Sequence, residues 1–147
     1  MPESFTGGSG RVCMLRDYQR DGVRWLRFNY SQGRSVILGD EMGLGKTAQS
    51  VSTLDCLRRF HAAGGPFLIV APLSTIQHWQ REVHDWTQMH GVVFHGNEDA
   101  RATLLDWEWA GTQRSSKQKS WYARAGRSGD LRRTHRALMV SAARTAL

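Results

Sequence analysis

A glycine-rich segment, residues 39–47, carries the residue types that phosphate chemistry needs. It reads Gly-Asp-Glu-Met-Gly-Leu-Gly-Lys-Thr. Glycines let backbone N–H groups point at phosphate oxygens, a lysine ammonium neutralises the β- and γ-phosphates, and a threonine hydroxyl can bind Mg²⁺. Lys46 is the only lysine in residues 1–110, where the ten other basic residues are arginine. A compact ammonium suits a phosphate cradle better than a planar guanidinium, so the segment predicts a nucleotide-phosphate site.

The segment departs from the strict pattern G-x-x-x-x-G-K-[ST] at one position. Asp40 stands five residues before Gly45, where the pattern has glycine, and Gly39 is one residue too early. The alternative interpretation is a glycine-rich turn with an incidental lysine. The flanking sequence favours the phosphate loop, because a short apolar β-type run (residues 35–38) precedes it and helical spacing (residues 46–61) follows it.

The rest of the chain alternates between helix and strand patterns. Apolar residues recur at helical spacing over 15–30, and Phe67–Ala71 is continuously apolar, as in a central parallel strand covered on both faces. Ser74 is predicted as the N-cap of the next helix, followed by a strand at 92–94 and a further helix at 98–109. The alternation predicts an α/β fold with a doubly wound parallel sheet flanked by helices.

Charge divides the chain into unequal parts. Residues 1–110 hold 11 Lys and Arg against 12 Asp and Glu, whereas residues 111–147 hold 9 against 1. We therefore predict three regions: a flexible Gly- and Ser-rich lead-in (1–14), a patterned region that holds the predicted phosphate site (15–110) and a basic tail of low order (111–147). The tail is either a basic arm that binds nucleic acid or an accidental sequence from an altered reading frame or retained intron, and we favour the second.

Other site types are weakly indicated. Cys13 and Cys56 have no C-x-x-C spacing, so we expect reduced thiols and neither a disulfide framework nor a zinc site. The six histidines show no i, i+4 pair, which argues against a helical zinc motif. No apolar run approaches the length of a membrane span, and we expect no membrane partner.

Three motifs resemble those of the SWI/SNF-type, superfamily 2 chromatin-remodelling ATPases. Residues 40–47 resemble motif I, residues 15–26 resemble the Q motif, and residues 68–76 with Trp79 resemble motif Ia. Residues 65–67 and 92–96 are similar to the chromodomain-helicase-DNA-binding subfamily. The resemblance stops at about residue 109.

The resemblance implies a fold and a set of site residues. The fold is an incomplete RecA-like P-loop lobe, the N-terminal part of the first helicase lobe. Gln19 would read the adenine edge, and Thr47 would bind Mg²⁺ through the nucleotide. The residues implied in ATP binding are Gln19, Asp40, Glu41, Met42, Gly43, Leu44, Gly45, Lys46 and Thr47. Pro72, Ser74 and Thr75 would contact the DNA backbone, although Ser74 and Thr75 could instead only cap their helix.

The expected function is that of an ATP-binding fragment of a DNA-dependent, nucleosome-sliding ATPase in the nucleus. Its cofactors would be ATP and Mg²⁺, and its partners double-stranded DNA and the nucleosome in the full-length parent. The family hydrolyses ATP with an Asp-Glu-x-His motif II, and the only Asp-Glu pair here, Asp40-Glu41, lies in the phosphate loop. We therefore expect motif II and the second lobe further along the parent. The alternative is a non-catalytic nucleotide- or nucleic-acid-binding module, or a truncated pseudo-enzyme, that acts through its basic tail.

Overall fold

The computed structural model describes residues 2–61, 63, 66–95, 97, 99–100 and 104, and the backbone of residues 136–142. In chain order the elements are β1 (Phe5–Thr6), β2 (Val12–Cys13), α1 (Asp17–Ser31), α2 (Lys46–Phe60), β3 (Phe67–Ala71), α3 (Leu73–Trp86), β4 (Met89–Phe94) and β5 (Arg136–Ala142). The predicted mixture of helices and strands is confirmed. Of the helix predicted at 98–109, only residues 99–100 and 104 are described, and they are helical. Most of the predicted tail lies outside the described residues. Among the described helices, none has the length and apolarity needed to cross a bilayer.

Helix α2 is the centre of the described structure. Eight of its fifteen residues are buried. Val51 packs in one apolar cluster with residues of β3, α3 and β4, while Ala48 and Cys56 pack in a second cluster with Phe5 and residues before and within α1. Because the last two residues of the glycine-rich segment form the start of α2, this burial on two sides fixes the C-terminal end of that segment.

The larger sheet has the order β3-β5-β4, and β5 runs antiparallel to both neighbours. It follows that β3 and β4 run in the same direction, with α3 as the helix that returns the chain between them. The predicted crossover is therefore present, but β5 lies between the two strands, in a split β-α-β arrangement. All described strand pairs are antiparallel, so the prediction of a parallel sheet is wrong for the described strands.

The burial pattern of β3 explains why its apolar run led to the wrong prediction of a parallel sheet. Leu68 and Val70 are exposed, whereas Ile69 packs against the core and Ala71 is buried. In the described part of the chain β3 is thus covered on one face, as is common in antiparallel sheets. An uninterrupted apolar run indicates a strand, but it does not fix the direction of the neighbouring strand.

The strand predicted at residues 35–38 is also wrong. These residues have no regular secondary structure, and Ile37 is 90% exposed. They do not take part in either described sheet. A short apolar run becomes a strand only when another strand pairs with it, and sequence patterning does not show whether that partner is available.

The N-terminal segment is anchored to the core, which its composition did not indicate. Strands β1 and β2 form an antiparallel pair, and Phe5 is fully buried. Its ring lies 6.0 Å from that of Trp86 between centroids. The Gly8 amide donates a hydrogen bond of 2.9 Å to the carbonyl of Thr87. Residues predicted as a flexible lead-in therefore form a hairpin against the C-terminal end of α3.

Both cysteine side chains are buried, and neither forms a disulfide in the described structure. Burial raises the pKa of Cys13, and the nearby Arg11 charge opposes that shift. Burial likewise raises the pKa of Cys56, with the Arg27 charge opposing it. A raised pKa and poor access both reduce the reactivity of a thiol, because the thiolate is the nucleophile.

We therefore expect both thiols to react slowly with Ellman's reagent at pH 7.5 in the native chain and rapidly in concentrated urea. Cys56, which is completely buried, should be the slower of the two. The single variants Cys13→Ser and Cys56→Ser assign the two phases. Reaction of Cys56 at the rate of a free thiol under native conditions would contradict the packing of α2.

Candidate functional site

The glycine-rich segment turns sharply at two glycines. Gly43 has a φ of 87° and Gly45 a φ of 76°, both in the left-handed region that favours glycine. Gly45 is also the N-cap of α2 and provides no side-chain hydrogen bond to the helix. The positive end of the dipole of a fifteen-residue helix therefore lies at the end of this segment. This is the local geometry that anion binding at a helix N-terminus requires.

The ammonium group of Lys46 lies against the start of the same segment. Its Nζ donates hydrogen bonds to the backbone carbonyl of Asp40 at 2.7 Å and to that of Glu41 at 2.9 Å. The side chain thus bridges the two ends of the segment, and its charge is directed at oxygen acceptors. A phosphate oxygen offers the same kind of acceptor with a full negative charge.

Gln19, predicted to read adenine, lies beside the glycine-rich segment. Its Nε2 donates to the carbonyl of Leu44 at 3.1 Å, and its Oε1 accepts from the backbone N–H of Arg16 at 3.0 Å. The second bond closes the first turn of α1. Two motifs separated by more than twenty residues in sequence are therefore joined by one side-chain amide.

Sequence reasoning missed Gln49, which belongs to the same cluster. Its side chain is completely buried, and Nε2 donates to Asp40 Oδ2 at 2.8 Å and more weakly to the Leu44 carbonyl at 3.4 Å. One signal was available in the sequence. Gln49 stands seven residues, or two helical turns, before Cys56, so the two side chains share one side of α2, and a polar residue beside a residue type that is usually buried needs an internal partner.

The remaining residues of the segment differ in exposure. Glu41 and Met42 are exposed, the latter at 95%, whereas Leu44 and Thr47 are half-buried. Thr47 follows Lys46 in the first turn of α2. Its role as a Mg²⁺ ligand stays a prediction. Among the described residues there is no group of three or more His, Cys, Asp or Glu side chains that could hold a metal ion.

The residues predicted to contact DNA lie at the start of α3, and all three are exposed. Pro72 is the N-cap, so the prediction that Ser74 caps this helix is wrong. Thr75 instead turns back, and both its N–H and its hydroxyl donate to the Pro72 carbonyl at 3.0 Å. No hydrogen bond among the described residues joins Pro72, Ser74 or Thr75 to the glycine-rich segment. Their contact with DNA stays a prediction.

Comparison with known proteins places these motifs in a family. The model of the SNF2-related domain matches residues 18–138. The match continues beyond residue 109, where the sequence resemblance was expected to stop.

Among curated proteins, human chromodomain-helicase-DNA-binding protein 6 is 49% identical over 96 residues, which are 64% of this chain and 3% of that protein. Human chromodomain-helicase-DNA-binding protein 1 is 48% identical over 107 residues, 72% of this chain and 6% of that protein. Chicken chromodomain-helicase-DNA-binding protein 7 is 50% identical over 96 residues, which are again 64% of this chain and 3% of that protein. The chain thus spans only a small part of the length of each of these relatives. The region that the family model matches, residues 18–138, includes the glycine-rich segment, α2 and all but the first residue of α1, and the chain belongs to the SNF2-related domain family.

Proposed function

We propose that this chain binds ATP at the glycine-rich segment, as part of the first lobe of a SNF2-type chromatin-remodelling ATPase. The observation that carries the proposal is the position of Lys46. Its ammonium is directed at oxygen atoms, beside two left-handed glycines and at the N-terminus of a long, buried helix. These residues fit a triphosphate, because the backbone, the helix dipole and the lysine all favour negative charge at one place.

Binding requires an exchange of partners at Lys46. The carbonyls of Asp40 and Glu41 now accept its hydrogen bonds, and phosphate oxygens would replace them. The charged acceptor is the stronger one, so the exchange is favourable. Mg²⁺ bound with the nucleotide would neutralise phosphate charge, and we expect the Thr47 hydroxyl to be one of its ligands.

Gln19 has a second function in the proposal. Its amide is held beside Leu44 at the edge of the glycine-rich segment, and a primary amide can pair with the adenine edge. Reading the base would compete with the contacts to Leu44 and Arg16. Adenine binding and the conformation of the segment are therefore coupled through one side chain.

The fold and partners of the parent protein are proposed on the same basis. The β3-α3-β4 crossover agrees with a RecA-like P-loop lobe. The relatives are chromodomain-helicase-DNA-binding proteins by name, which supports DNA as a partner. We propose double-stranded DNA and nucleosomes as the partners of the parent, in the nucleus. The exposed hydroxyls and N–H groups at the start of α3 would contact the DNA backbone without reading bases.

We expect the 147-residue chain to bind Mg²⁺-ATP without hydrolysing it. Asp40-Glu41 is the only Asp-Glu pair of the sequence, and its place in the glycine-rich segment leaves no Asp-Glu-x-His motif to polarise water. Isothermal titration calorimetry measures the affinity, and a phosphate-release assay with and without duplex DNA measures turnover. Adenosine, which lacks phosphates, is the control ligand and should bind far more weakly than ATP.

Two results would contradict this assignment. Robust phosphate release would mean that the groups that activate water are present and wrongly identified. A folded chain without ATP affinity would remove the proposed function. If that chain also bound DNA with an affinity that falls steeply with salt, the basic segment at 111–147 would account for its activity.

A further inference from the structure

Two glutamines and two glycines form a reciprocal contact between α1 and the start of α2. We call this set, Gln19, Gly22, Gly45 and Gln49, the glutamine–glycine seat. A Cβ atom built at Gly22 would overlap the Oε1 atom of Gln49, and one built at Gly45 would overlap the Nε2 atom of Gln19. Each glutamine thus occupies the space that the glycine of the opposite element leaves open.

Both glutamines act on the same backbone group. The Leu44 carbonyl accepts hydrogen bonds from Gln19 Nε2 at 3.1 Å and from Gln49 Nε2 at 3.4 Å. Leu44 lies between the two left-handed glycines of the segment. The seat therefore holds the part of the segment whose backbone conformation matters most for anion binding.

Among the described residues, only the nitrogen of the Gln49 side-chain amide forms hydrogen bonds. Its Nε2 is shared between Leu44 and the Asp40 carboxylate, while its Oε1 is buried with no hydrogen-bond partner in the described structure. A buried acceptor without a partner is unfavourable. A side chain retained for packing alone would be better served by an apolar residue of similar volume. The amide donor is the part of Gln49 that makes specific contacts.

Asp40 is the reason such a donor is needed. It stands where the general phosphate-loop pattern has glycine, and its carboxylate would repel a triphosphate. The bond to Gln49, at 2.8 Å, directs Asp40 Oδ2 towards the buried face of α2. A charge-assisted bond from an amide is well suited to hold a carboxylate in that place.

We propose that Gln49 is a positioning residue of the nucleotide site, which restrains the Asp40 carboxylate and the Leu44 carbonyl, and that Gly22 leaves the space it needs. This inference rests on the proposed ATP function. It also gives a role to Gly22 of α1, which is remote in sequence from the glycine-rich segment. Gly22 would affect the shape of that segment by sterics alone.

The first test compares Gln49→Met with the unchanged 147-residue chain by calorimetry with Mg²⁺-ATP. Methionine keeps the volume of the buried side chain and removes the donor. The dissociation constant should rise by about tenfold or more, the scale of one charge-assisted hydrogen bond. The circular dichroism spectrum and melting temperature should be retained, since an apolar side chain fits the buried site.

The Asp40→Ala change separates positioning from general packing. In the Gln49→Met background it should recover most of the lost affinity, because the carboxylate that needed restraint is gone. A side chain with a merely structural role would show no such recovery. Equal ATP affinity in the unchanged chain and Gln49→Met, or the absence of recovery in Asp40→Ala/Gln49→Met, would overturn the proposal.

The Gly22→Ala change tests the steric part. Its methyl group should displace Gln49, so it should weaken ATP binding as much as Gln49→Met does, or unfold the chain. Adding Gly22→Ala to Gln49→Ala should have little further effect, because the shorter side chain leaves room for the methyl group. The role assigned to Gly22 would be overturned if the loss of ATP affinity in Gly22→Ala/Gln49→Ala equalled the sum of the losses in the two single variants. It would also be overturned if Gly22→Ala unfolded the chain and the double variant stayed unfolded. If the unchanged chain bound no ATP, the proposed function itself would fail, which is a different result from an unchanged affinity in Gln49→Met.

Discussion

Replacing Lys46 by alanine should weaken ATP binding by roughly 10- to 100-fold, the range expected when a buried or half-buried charged hydrogen-bond donor is lost. Lys46 is half-buried, and its ammonium bridges the two ends of the glycine-rich segment. The variant removes the positive charge proposed to neutralise the β- and γ-phosphates. It also removes the contacts that now close the segment on itself. Calorimetry with Mg²⁺-ATP measures the change.

The Lys46→Arg change should restore little of this affinity. A guanidinium keeps the charge, but its planar fork is larger than an ammonium and does not fit a cradle formed by converging backbone groups. Arg81→Ala is the matched control, because it removes one positive charge from an exposed position on α3. Its ATP affinity should stay within about twofold of the unchanged chain, as expected for a surface charge remote from the site. An equal loss in Lys46→Ala and Arg81→Ala would mean that net charge, and not the geometry at Lys46, determines binding.

The sequence predicted the helices well because their determinants are local. Helix α1 begins at Asp17 and ends at Ser31, within two residues of the range that the apolar spacing indicated. Helix α2 begins at Lys46, as predicted from the glycines before it. In both cases the signals lie within a few residues of the element itself.

The sheet was predicted less well because its determinants are not local. Strand β3 has the predicted bounds, but its neighbour β5 comes from residues 136–142, far along the chain. The apolar runs at 35–38 and at β3 look alike, yet only β3 is paired in the described structure. Burial patterns of single strands do not specify which segments meet or in which direction they run.

The same distinction applies to the candidate site. Residue types alone indicated the glycines, Lys46 and Gln19, since each has a recognisable chemical role. The contacts of Gln49 could not be read in this way, because its hydrogen bonds to Asp40 and Leu44 depend on how the glycine-rich segment folds back on α2. The space that Gln49 occupies is left open by Gly22, which has no side chain and carries no chemical signal of its own.

Phe5 gives the largest expected effect on stability, although it lies in a segment with little apolar pattern. Its side chain is 0% exposed and packs in a cluster with Leu15, Val23, Ala48 and Cys56. Phe5→Ala should lower the free energy of unfolding by about 3–5 kcal/mol, the usual cost of removing a buried phenyl ring. Since domains are stable by only about 5–15 kcal/mol in total, this is a large share. Urea denaturation followed by circular dichroism measures the difference.

Phe28→Ala provides the matched control, because the same atoms are removed from a ring that is 59% exposed on α1. Its effect should stay below about 1 kcal/mol, as is usual for surface substitutions. The comparison also tests the order of residues 1–14, since a loosely attached segment contributes nothing to global unfolding. If Phe5→Ala and Phe28→Ala shifted the urea midpoint equally, the hairpin would not belong to the cooperative core. Helix α2 would then be held against α1 without it, and the anchoring of the glycine-rich segment would depend on the α1–α2 contact alone.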